Sequence, residues 1–100
     1  MARPFHLAIP VANLELCRAF YRDVLQCTEG RSSESWVDFN FFGHQFVIHQ
    51  KEALFTEESI TNPVDGHEVP VPHFGVVLEW DAWHELADSL TKKGVQFVID

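Results

Sequence analysis

The feature that most limits what this chain can fold into is a repeat in phase. Shifting the sequence by 67 residues lays His6 on His73, Leu7 on Phe74 and Ile9 on Val76, and one further residue aligns Asn13 with Asp81. In RPFHLAIP, the alternation puts Leu7, Ile9 and Val11 on one face of a strand and His6, Ala8 and Pro10 on the other. PVPHFGVVLEW shows the same parity around His73. In both copies the imidazole takes the face opposite the bulky residues, the one a covering helix would leave open. Two related modules are the expected result.

The elements around the repeat follow from local pattern. Asn13 is expected to cap a helix whose apolar positions are Leu14, Cys17, Tyr21, Val24 and Leu25, with Arg18, Arg22 and Asp23 outward. The run WVDFNFFGHQFVIHQ divides at Gly43-His44 into a hairpin, Trp36 to Phe42 paired with Gln45 to Gln50. Between Lys51 and Val71 the periodicity is lost, and Asn62-Pro63 and Asp65-Gly66 predict a linker or surface loop. A strand from His73 to Trp80 follows, then a helix capped by Asp81 with Trp83, Leu86, Ala87 and Leu90 on one face. Lys92, Lys93 and Gly94 close it, and VQFVI is a last β-like run. The order is β-α-β-β-β, linker, β-α-β. This is an α+β chain treated as one domain of 1–100, with module one at 1–50, linker at 51–71 and partial module two at 72–100.

Charge and composition exclude several functions. Fifteen acidic side chains against seven basic ones give a formal charge of −8, which repels phosphate backbones and anionic membrane surfaces; no nucleic-acid or membrane partner is expected. No apolar run approaches the roughly 18 residues that span a bilayer, and MARPFHL lacks the layout of a secretory signal, so a cytoplasmic location is expected. Cys17 and Cys27 lie outside any CxxC pattern and are read as packing thiols.

The histidines carry the chemistry. His6 and His73 would converge if the two modules are related by a pseudo-twofold axis and line a shared concavity. Neutral imidazole binds zinc, iron, nickel or manganese, and two histidines with one carboxylate leave positions open for substrate or oxygen. The plainer alternative is that each ring donates to a carbonyl and fills a half-polar sheet face. His49, in phase with Gln45 and Val47, is a possible additional ligand or a solvated strand end. His44 and His84 are read as surface residues, and Asp65 and His67 as loop residues that could close over a site. Asp38 and Asn40 share one face, either solvated or lining the concavity. Trp36, Phe39, Phe41, Phe46 and Trp80 are core or pocket wall.

HLAIPVANLELCRAFYRDVLQC, WVDFNFFGHQFVIH and HFGVVLEW together resemble the glyoxalase, bleomycin-resistance and extradiol dioxygenase superfamily, the vicinal oxygen chelate proteins. The most specific part is FYRDVL at Phe20–Leu25, with Gln26 where glycine is usual. The resemblance covers essentially the whole chain. It implies paired βαβββ modules forming a cup-shaped mixed sheet with helices outside, the second module truncated, and a divalent metal (Fe, Mn, Zn or Ni) at the base of the cup. By position it makes His6, His73 and His49 metal ligands, with many members carrying glutamate at the last. The usual GNxxEF-like stretch with its glutamate ligand is missing here. A homodimer is expected, since members commonly dimerise and an open sheet edge invites association.

Reaction type depends on the metal more than on the scaffold. The expectation is a metal-dependent enzyme acting on a small oxygenated substrate, narrowly dioxygenase-like. A glyoxalase I-type lyase or epimerase is close behind, and a metal-free drug-binding module is the other class, favoured if Trp36 and Phe39 face the cup. A thiol-transferring resistance enzyme would need more cationic residues than the chain offers.

Overall fold

Alternating branched and aromatic residues make two central strands, β3 at Trp36–Phe41 and β4 at His44–Gln50. In the computed structural model, which describes residues 3–51, 60–64 and 67–97, they pair antiparallel with Phe39 opposite Phe46 and Val37 opposite Ile48. These four side chains are fully buried. The turn between the strands has two residues of positive φ, Phe42 and Gly43, as a tight mirror-image turn demands, and Asn40 Oδ1 accepts from the Gly43 N–H at 2.8 Å.

β1, His6–Val11, lies parallel to β4, and β2, Thr28–Ser32, runs antiparallel to β3, giving the order β1-β4-β3-β2. The polar segment TEGRSSES thus holds β2, a strand that the order β-α-β-β-β counts but that local composition does not locate. The expected hairpin is present, with β3 one residue shorter and β4 one residue longer than the pattern indicated.

Helix α1, Leu14–Ala19, starts as expected: Asn13 Oδ1 accepts from the Leu16 N–H at 3.1 Å. It continues as a π-helical turn over Phe20–Val24, with the Leu25 N–H donating to the Phe20 carbonyl. This wider turn swings Tyr21 onto the aromatic face of the sheet, where its ring centroid lies 4.8 Å from Phe46, 5.6 Å from Phe39 and 6.3 Å from Phe41. Burial there pushes the Tyr21 hydroxyl above its ordinary pKa. Chain direction then reverses at Gln26, held at φ 59° in the left-handed region.

Within α1, Arg18 reaches β2 and donates twice to Glu29, at 2.7 and 2.8 Å. Arg22 clasps its neighbour Asp23 at 2.8 and 2.9 Å. Both cysteines are free, and burial raises both thiols.

The chain divides into two compact units, Met1–Phe55 and Thr56–Asp100. The second unit departs from expectation. The stretch read as linker contains two antiparallel strands, β5 at Ile60–Val64 and β6 at His67–Val71. The strand expected at His73–Trp80 does not form. Residues 73–79 are irregular, and among the described residues the second sheet pairs β5 with β6. α2 spans Trp80–Lys92. Its N-cap is Glu79, and Asp81, expected as the cap, instead places its charge in the first turn. Gly94 takes φ 82°, as a residue closing a helix does. The run from Val95 makes no strand through residue 97, and the rest of it lies outside the described residues. The fold is α+β, with one βαβββ module over β1 to β4.

Two outcomes follow. Gln26→Gly should stabilise the protein by up to about 1 kcal/mol in chemical denaturation, because glycine carries no left-handed penalty there and loses only part of that gain to chain entropy. The Glu29 carboxyl is held below its ordinary range, first by the hydrogen bond from Arg18. Its contribution is therefore complete above the unfolded-state value and disappears as pH falls through the lower folded-state value. Denaturation curves of the parent and Glu29→Gln should differ at neutral pH and converge in acid.

Candidate functional site

Burying one face of the four-stranded sheet leaves the other for chemistry. The ladder register assigns residues to that open face. His6 pairs with Gln45, Ala8 with Val47 and Pro10 with His49, while Asp38 stands opposite Val47, Asn40 opposite Gln45 and Trp36 opposite His49. The sheet thus presents His6 and His49 on one side, as the alternation predicts. They stand four residues apart along the parallel pair, about 13 Å by strand rise. The Trp36 and His49 rings lie 6.5 Å apart.

A hydrogen-bonded chain crosses three strands here. His6 Nδ1 lies 2.9 Å from Gln45 Oε1, and Gln45 Nε2 donates to Asp38 Oδ2 at 3.4 Å. Gly30 makes room for it, since a Cβ at that position would come within 3.2 Å of Asp38 Oδ2. Beside this chain lies an open cavity of about 460 Å³, lined by Pro4, Thr28, Gly30, Asp38, Asn40 and Gln45 among others. Such a volume suits a small ligand.

The remaining expected residues divide clearly. Phe39 is buried against Tyr21 and is also among the residues lining the cavity, while Trp36 stands on the open face opposite His49. His44 is more than a turn residue: its Nδ1 accepts from the Phe5 N–H at 3.0 Å and its ring packs 4.4 Å from that of Phe5, tying down the entry to β1. His84 sits between Trp80 and Trp83, at 4.4 and 5.0 Å. His73 is exposed in the irregular segment before α2. Asp65 lies outside the described residues, and His67 is placed only as the first residue of β6. Among the described residues, no three His, Cys, Asp or Glu side chains gather into a group able to hold a metal, and no helix is long and apolar enough to cross a membrane.

Sequence reasoning missed Gln45 and Gly30. The phase of Gln45 with His49 was visible, but its juxtaposition with His6 depends on parallel register between strands 39 residues apart.

Comparison with known proteins agrees with this architecture. The sequence model of the Glyoxalase/Bleomycin resistance protein/Dioxygenase superfamily matches residues 3–100. Among solved structures, the glyoxalase/bleomycin resistance protein/dioxygenase from Alicyclobacillus acidocaldarius superposes with a TM-score of 0.78 at 28% identity, covering 97% of this chain and 67% of that one. Integron cassette protein HFX_CASS4, from the mobile metagenome of the Halifax Harbour sewage outfall, superposes with a TM-score of 0.68 at 20% identity, covering 94% of this chain and 72% of that one, and shares the fold. No curated protein sequence matches significantly. With its βαβββ module and a family match over nearly its whole length, the chain belongs to the glyoxalase/bleomycin resistance protein/dioxygenase superfamily.

Proposed function

We propose that the open face of the sheet serves a divalent-metal-dependent enzyme acting on a small oxygenated substrate, narrowly dioxygenase-like, with His6 and His73 as metal ligands; His49, about 13 Å along the strands from His6, is too far to share one ion with it. The observation that carries this reading is the state of His6. Its Nδ1 is engaged by Gln45 Oε1 and its ring is exposed on the open face, which suits Nε2 to act as a ligand. Imidazole donors fit Fe, Mn, Zn or Ni. When bound, such an ion polarises neighbouring oxygens of a substrate. The chain's own residues orient His6 through Gln45, flank His49 with the Trp36 ring, and offer Asp38 and Asn40 as hydrogen-bonding groups beside the cavity. An enediolate-forming lyase or epimerase would use the same face but needs a base; Asp38 is the carboxylate lining the cavity on the open face. A homodimer belongs to the same reading, supported by β1 and β2 forming the edges of the four-stranded sheet.

The second reading, a metal-free small-molecule binding module, is favoured by the cavity itself, whose mixed lining would hold a ligand without reaction. Metal titration of the purified protein separates the two. The enzyme reading expects stoichiometric Fe, Mn, Zn or Ni. His6→Ala and His73→Ala, both at exposed positions, should each weaken uptake by more than the roughly 10–100-fold typical of outer-shell changes. A parent that binds none of these ions, or single mutants that bind as tightly as the parent, would overturn it in favour of the binding module.

A further inference from the structure

We infer that Gln45 is a positioning residue that fixes the tautomer of His6, with Asp38 setting the direction of the Gln45 amide. Its relevance to metal binding rests on reading His6 as a ligand. A carboxylate only accepts, so the contact between Gln45 and Asp38 Oδ2 requires the –NH2 end of the amide on the β3 side. The carbonyl end then points to β1, where Oε1 meets His6 Nδ1 at 2.9 Å. An amide oxygen also only accepts, so Nδ1 must carry the proton. The Nε2 lone pair is left for an electrophile on the open face.

This is the less common form. A free histidine side chain favours the proton on Nε2, so an exposed His6 without Gln45 would offer mostly the wrong nitrogen. The same end of the sheet holds the opposite case. His44 Nδ1 accepts from the Phe5 N–H, which places the His44 proton on Nε2. Two neighbouring histidines are thus held in opposite tautomers by groups that differ only in being acceptor or donor. Gly30 belongs to the device as well: a side chain there would press on Asp38 Oδ2 and displace the group that orients the amide.

The test is long-range ¹H–¹⁵N correlation on the full chain, metal-free, at a pH where both imidazoles are neutral. The parent should show His6 protonated on Nδ1 and His44 on Nε2. Gln45→Leu should return His6 toward the Nε2–H form and leave His44 unchanged, while Gln45→Glu, which keeps an acceptor, should preserve Nδ1–H. Zn²⁺ titration of the same proteins should show a roughly 10–100-fold weaker affinity for Gln45→Leu and recovery in Gln45→Glu. His6 found in the Nε2–H form in the parent, or unchanged in Gln45→Leu, overturns the assignment. A parent that binds no Zn²⁺ but shows the tautomer change contradicts the metal reading and upholds the positioning role. Gln45 is exposed, so these variants should fold.

Discussion

The structure depends on the commitment of one sheet face to an aromatic core. Val37, Phe39, Phe46 and Ile48 alternate along two adjacent strands and are buried together, and Tyr21 is packed over them from the helix. Each such side chain contributes about 1.5–3 kcal/mol on burial, whereas an exposed side-chain hydrogen bond contributes about 1 kcal/mol or less. Packing therefore decides the register of β3 and β4, and a slip of one residue would turn every phenylalanine out. The polar groups of the opposite face contribute little to stability and are available to orient one another.

That division of labour explains how a small module presents chemistry. Parallel pairing of β1 with β4 brings His6 level with Gln45, and antiparallel pairing of β4 with β3 brings Gln45 within reach of Asp38. Backbone ladders fixed by the core thus build a side-chain chain on the open face. Glycine at position 30 and the clamp from His44 to the Phe5 N–H are local conditions for the same arrangement.

Much of the first unit was legible in the sequence because its signals are local. The Asn13 cap, the aromatic hairpin and the face assigned to His6 each follow from spacing within a few residues. β2 is counted in the expected order but not located by it, because an edge strand of Thr, Glu, Gly, Arg and Ser has little β pattern of its own and is held by its partner. The irregular path of 73–79 illustrates the converse: HFGVVLEW has strand composition, but it pairs with no strand among the described residues, and composition alone does not make a strand. Gln45 escaped notice because its partner is remote in sequence, and Gln26 because a left-handed residue leaves no pattern beyond the missing glycine.

Chemistry on this scaffold requires a small ligand to meet the protein at the open face of the sheet. Paramagnetic broadening by Mn²⁺, read on the backbone and histidine signals of the whole chain, tests that most directly. Broadening should begin at His6, Gln45 and Asp38 and be weakest on the outer side of α1 at Leu16. Signals lost uniformly, or first along the outer helix with His6 untouched, would contradict it.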